Sequence, residues 1–113
     1  MGAVYLDQGK HEEAISMYEK SLKTTLSVLD HNHPHVAVSY NNIGAVYSNQ
    51  GKHEEAISMY EKSLKITSSV LGHNHPDVAR SYNNLGNVYD KQGKHEEAIS
   101  MYEKSFKIQL SNP

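Results

Sequence analysis

The residues best suited to chemistry in this chain are its histidines and asparagines, and both recur in a fixed pattern. His31, His33 and His35 alternate with Asn32 and Pro34, and His73 and His75 flank Asn74. Imidazoles at alternate positions can chelate a divalent transition metal. No cysteine and no cluster of carboxylates completes a ligand set, so these stretches are expected to be polar loops that enter helices, without a native metal or other cofactor. The asparagines come as adjacent pairs, Asn41-Asn42 and Asn83-Asn84. A primary amide is donor and acceptor at once, so it can hold a peptide backbone whatever the side chains. Serine, histidine and aspartate are all present, but nothing supplies an activated nucleophile, paired carboxylates or a phosphate loop. Gly9-Lys10, Gly51-Lys52 and Gly93-Lys94 lack the upstream glycine and the following Ser/Thr of a P-loop. No enzymatic activity is expected.

Composition narrows the classes further. With 37% hydrophobic and 21% charged residues and no run of like charge, the chain is too balanced for a disordered tail and too polar for a membrane span. A formal net charge of −2 leaves no basic footprint for nucleic acid. The absence of cysteine excludes disulfides and permits a reducing compartment. No apolar stretch resembles a signal peptide, so the expected location is the cytoplasm.

These residues are positioned by a repeat. The stretch GKHEEAISMYEKS occurs three times unchanged, from Gly9 to Ser21, Gly51 to Ser63 and Gly93 to Ser105, always 42 residues apart. A fixed period of this size signals a stacked repeat, in which each unit needs only its neighbours. The expected organisation is a single array fragment over residues 1–113, with units at about 2–43, 44–85 and 86–113, the last incomplete. The chain is expected to be cut from a longer array, in the middle of a unit.

Each period holds two helical patterns. The first runs from Pro34 to about Gln50 and from Pro76 to about Gln92, with Val36, Tyr40, Ile43, Gly44 and Tyr47, or Val78, Tyr82, Leu85, Gly86 and Tyr89, along one stripe. Proline suits the first helical position, and Gly51 and Gly93 suit the left-handed position after the last. A stub of the same helix is expected at Gly2 to Gln8. The second pattern runs from about His11 to Leu29, His53 to Leu71 and His95 to Leu110. Its stripe is Ala14, Ile15, Tyr18, Leu22 and Leu29, with Thr25 in a gap. Glu12 and Glu13 precede Lys20 and Lys23, an order that suits the helix dipole. Gly44 and Gly86, with Ala14, Ala56 and Ala98, are expected where helices cross closely. No segment reads as a strand.

Tyr40, Ile43, Gly44, Tyr47, Gly51, Ala56 and Tyr60 fall at the spacing of the tetratricopeptide repeat signature, and Tyr82, Leu85, Gly86, Tyr89, Gly93, Ala98 and Tyr102 repeat it. With its longer period, HPDVARSYNNLGNVYDKQGKHEEAISMYEKS closely resembles the 42-residue repeats of kinesin light chains. Ser21, Ser63 and Ser105 stand where that signature has an alanine, and its closing proline is absent. The resemblance implies an all-α, right-handed superhelical solenoid of antiparallel helix pairs. It also implies a concave groove, lined by the first helix of each unit, that binds peptide segments of other proteins.

On a helical wheel the face opposite the core holds Val38, Asn41, Asn42, Ala45, Ser48 and Asn49 in one copy. In the next it holds Arg80, Asn83, Asn84, Asn87, Asp90 and Lys91, and in the stub Ala3, Leu6 and Asp7. Four of these six positions change between the two full copies, and the asparagine pair does not. The outward face of the second helix, with Glu12, Ser16, Glu19 and Lys20, is the same in every copy. Drift would touch every solvated face alike. The expected site is therefore a groove of Asn41, Asn42, Ala45, Asn49, Arg80, Asn83, Asn84, Asn87 and Lys91, with shared asparagines and copy-specific neighbours. The resemblance implies acidic or aromatic-acidic peptides, but only Arg80 and Lys91 supply positive charge there.

The expected function is a scaffold for a protein or peptide ligand, without nucleic acid or membrane. One alternative is a self-associating structural array. Natural arrays cap their ends with polar helices, whereas the last helix here carries Ile99, Tyr102, Phe106 and Leu110. These could form a homo-oligomer or exchange helices. Another alternative is a regulatory repeat segment of a larger signalling ATPase.

Overall fold

The structure, a computed structural model, describes residues 2–28 and 33–112, with side chains over residues 10–24 and 33–112. Its helices are α1 (Gly2–Val28), α2 (Pro34–Asn49), α3 (His53–Leu71), α4 (Pro76–Lys91) and α5 (His95–Ser111), and no strand occurs among the described residues. Pro34 and Pro76 open α2 and α4 at a position where no N–H is needed. The histidine before each proline is the cap. His33 Nδ1 accepts from the His35 N–H (3.2 Å) and His75 Nδ1 accepts from the Asp77 N–H (3.0 Å). This is the part usually played by Ser, Thr, Asp or Asn. The His33 and His35 rings stack with centroids 5.0 Å apart, while His31 lies outside the described residues.

The turns from α2 to α3 and from α4 to α5 are built alike. Gly51 and Gly93 take φ of 79° and 80°. The Lys52 and Lys94 N–H groups then reach back to the carbonyls of Tyr47 (2.9 Å) and Tyr89 (2.8 Å). This closure satisfies helix-end carbonyls and needs a left-handed residue.

At Gly9 the same sequence behaves differently. The expected stub at Gly2 to Gln8 is not separate: α1 runs unbroken through Gly9. The continuous helix keeps its backbone hydrogen bonds through Gly9, where a turn would leave helix-end groups to be satisfied otherwise.

Helices pair α2 with α3 and α4 with α5, and the pairs join through α1 on α2 and α3 on α4, forming an all-α solenoid. The centre of the core is Ala56, Tyr60, Leu85 and Val88, flanked by Ile57, Leu64 and Tyr89. Gly44 lies so close to Tyr60 that an added Cβ would stand 2.9 Å from the ring, and at Gly86 it would stand 2.7 Å from Tyr102. The expected close crossings are therefore present, with Ala56 and Ala98 buried beside them. Ser63 and Ser105, at the usual alanine position, are also buried. Thr25 and Leu29 lie outside the side chains described, and their counterparts one period later differ in burial. Thr67, the counterpart of the gap residue Thr25, is buried and donates its hydroxyl to the Ser63 carbonyl (2.8 Å). Leu71, the counterpart of the stripe residue Leu29, is 40% exposed. The stripe drifts around so long a helix, so that its last residues turn away from the buried face.

Burial raises the pKa of Tyr60 above the ordinary phenol value. Tyr47, Tyr89 and Tyr102 are also raised, first by burial and then by nearby carboxylates: Glu19 and Glu55 for Tyr47, Glu61 and Glu97 for Tyr89, and Asp90 for Tyr102. The unfolded chain releases these protons near pH ~10, before the folded chain does. Stability from these groups is therefore complete below about pH 10 and is lost as pH rises through the raised folded values. Thermal melts should be level up to about pH 9 and fall above about pH 10. Tyr60→Phe, which keeps the ring, should flatten that fall.

Candidate functional site

The expected inner-face residues lie on α2 and α4, and the structure links them across units. Asn84 Nδ2 on α4 donates to Asn41 Oδ1 on α2 at 2.9 Å. The partners come from different positions of the repeat, so the bond runs diagonally and ties one unit to the next. The side chains of Asn42 and Asn83 have no hydrogen-bond partner among the described residues, and both are half-buried.

Asn41 and Asn42 open onto a cavity of about 140 Å³ between α2 and α4. Val38 and Arg80 stand on its rims, and Ser63, Thr67, Val70 and Leu71 of α3 form its floor. The first helices alone did not reveal that floor. Its signal in the sequence is Val70, apolar but off the α3 stripe, beside the displaced Leu71. Asn83 and Arg80 line a second hollow of about 220 Å³ with Gln109 and Asn112 of α5. Gln109 corresponds to Thr67 one period earlier, so the hollow repeats the first cavity.

Charge is locally compensated. Arg80 donates to Asp77 at 2.8 Å, one turn before it. Lys91 Nζ donates to Ser48 Oγ at 3.4 Å, a second link between units. The two cations expected to select acidic ligands are therefore already engaged. Asn87 is set apart: its Oδ1 accepts from the Tyr102 hydroxyl of α5. Ala45 is half-buried and Asn49 exposed on α2. The side chains of Ala3, Leu6 and Asp7 lie outside the described ones. The unvarying face of α1, with Glu12, Ser16, Glu19 and Lys20, is exposed.

The inner face thus offers amide donors and acceptors beside small apolar hollows. Among the described residues no group of three or more His, Cys, Asp or Glu side chains could hold a metal ion. No described helix is long and apolar enough to cross a membrane.

Comparison with known proteins agrees with the geometry. The tetratricopeptide repeat family model matches residues 1–67 and again 35–111. No curated protein sequence matches. Among solved structures, BtubC (BKLC) from P. vanneervenii superposes with a TM-score of 0.87 at 27% identity, covering 93% of this chain and 41% of its own. A putative kinesin light chain from Podosopora anserina with nearly identical TPR-like repeats superposes at 0.81 and 24% identity, covering 98% of this chain and 53% of its own. The TPR domain of Arabidopsis FLU superposes at 0.77 and 21% identity, covering 98% and 90%. The chain therefore spans about half the length of the first two. With its 42-residue period, its paired helices and the family model matching along its length, the chain belongs to the tetratricopeptide repeat family.

Proposed function

We propose that this chain is a non-enzymatic scaffold of the cytoplasm that holds a peptide segment of a partner protein along the inner face of α2 and α4. The observation that carries this reading is the placement of the differences between copies. Between α2 and α4, four of the six differences lie at Val38/Arg80, Ala45/Asn87, Ser48/Asp90 and Asn49/Lys91, around an asparagine pair that does not change. In this reading the units are about 2–43, 44–85 and 86–113, and each full unit presents one asparagine pair. Asn41 and Asn84 hold the neighbouring first helices together, while Asn42 and Asn83 meet the ligand backbone. The cavity beside Asn42 takes a small apolar side chain. At about 140 Å³ it is close to the ~150 Å³ of an engineered cavity that binds benzene. With Arg80 and Lys91 engaged, acidic residues of the ligand add little.

Displayed random peptides selected on the chain supply a ligand for the test. Asn42→Ala with Asn83→Ala should weaken the selected peptides by about tenfold, as expected for losing two backbone hydrogen bonds. Helicity and melting temperature should stay close to the parent's. Glu12→Ala and Lys20→Ala, on the outer face, should leave affinity unchanged. Equal binding by the double variant, measured by fluorescence anisotropy, would remove the asparagines from the site.

A further inference from the structure

The two hollows of the inner face occupy the same place in successive helix pairs but differ in chemistry. The second is lined by Pro76, Ala79, Arg80 and Asn83 of α4 with Gln109 and Asn112 of α5. The residue 42 positions before each of these lines the first cavity. Both sets come from one helix pair, α2 with α3 or α4 with α5. Proline, alanine and asparagine are kept at three of the six positions, and the other three change. Arg80 replaces Val38, Gln109 replaces Thr67 and Asn112 replaces Val70. Each change puts an amide or a guanidinium where the first cavity has a valine or a hydroxyl already donated to the Ser63 carbonyl.

We propose, on the peptide-binding reading above, that the two hollows read two side chains of one ligand differently. The first takes a small apolar side chain, and the second takes a carboxamide, from asparagine or glutamine. Val38, Val70 and Leu71 are exposed around the first cavity, and an apolar group there removes their surface from water. The second hollow offers hydrogen-bond donors and acceptors together. The Gln109 amide has no hydrogen-bond partner among the described residues. Asn112 Nδ2 donates to the carbonyls of Asn74 (2.7 Å) and Ile108 (2.8 Å), which leaves Oδ1 as an acceptor. Arg80 has further N–H groups beyond the one that meets Asp77. A carboxamide is donor and acceptor at once and can answer both kinds of group. A carboxylate brings no donor for the two amide oxygens, and it meets an arginine already paired with Asp77. An apolar side chain would strip water from these groups without replacing its hydrogen bonds. Arg80 lines both hollows, so the two side chains lie close together on the ligand.

Peptides selected on the chain from a displayed random library test this, with affinity measured by fluorescence anisotropy. They should carry a small apolar residue and an asparagine or glutamine at a constant spacing. Replacing that carboxamide residue by alanine should weaken binding to the parent chain about tenfold. Arg80→Val with Gln109→Thr gives the second hollow two walls of the first. On this variant the same replacement should cost less than about twofold, because the groups it would have met are gone. Both sites are exposed, so the variant should keep the parent's helicity. Replacing the apolar residue by asparagine should weaken binding to parent and variant alike.

Peptides that bind without a preferred carboxamide, yet weaken on Asn42→Ala with Asn83→Ala, overturn the proposal and leave the peptide-binding reading standing. So does a carboxamide whose loss costs the parent and the variant equally. A library that yields no binder, or binders indifferent to Asn42→Ala with Asn83→Ala, overturns that reading and this proposal with it.

Discussion

Tyr60→Ala should destabilise the array by about 3–5 kcal/mol, the range for removing a large aromatic side chain from a packed core. Tyr60 lies between Gly44 of its paired helix α2 and the α4 residues Leu85 and Val88 of the next helix pair. Its ring serves two interfaces, one within a helix pair and one between pairs. Losing it should also break cooperativity. An array is stable as a sum of units and their joints, and the joint at α3 connects its two halves. Denaturant unfolding followed by circular dichroism should show a lower midpoint and a shallower or two-step transition. Tyr102→Ala, the same change one period later, is the control. Among the described residues no helix beyond α4 covers Tyr102, and its hydroxyl bond to Asn87 is exposed. The cost there should be about 1 kcal/mol. Equal effects at the two sites would contradict the packing described for α3 and α4.

Gly44→Val should cost about 3 kcal/mol, while Gly86→Val should cost about 1. The nearest distances suggest the opposite order, since an added Cβ meets Tyr102 at 2.7 Å from Gly86 and Tyr60 at 2.9 Å from Gly44. What decides is whether the neighbour can move. Tyr102 can swing outward from the uncovered face. Tyr60 is enclosed, and the Ala56 carbonyl stands 3.3 Å behind the same added atom. Backbone cannot yield, so α2 and α3 must separate. Part of each cost is offset because valine is the better helix former by a few tenths of a kcal/mol. Chemical denaturation of the two variants beside the parent gives the ranking directly.

The recurrence of these sites made much of the fold legible before any coordinates. Pro34 and Pro76 mark two starts, Gly51 and Gly93 two turns, and Gly44 and Gly86 two close crossings. All are local requirements: a missing donor, a left-handed φ, an absent Cβ. Each is written in one residue type at one spacing. Gly9 shows where such reading stops. It has the same neighbours as Gly51, yet α1 runs through it without a turn. Thr67 and Leu71 show the same limit in the core, because the end of a long helix is buried or bare according to where its partner stops.

The inner face divides in the same way. Its residues could be named from the wheel and from the differences between copies, but their partners could not. Asn41 and Asn84 come from unlike repeat positions and meet only where α2 and α4 come together. Arg80 is tied to Asp77, where the preceding unit has Val38 and His35. Sequence alone determined the period, the helix starts and turns, and the small residues at the crossings, because these depend on one residue and its immediate backbone. Tertiary structure alone decided which asparagines remain open and which residues floor the cavity. Those outcomes depend on how one helix lies against the next, and identical stretches meet different neighbours at different places in the array.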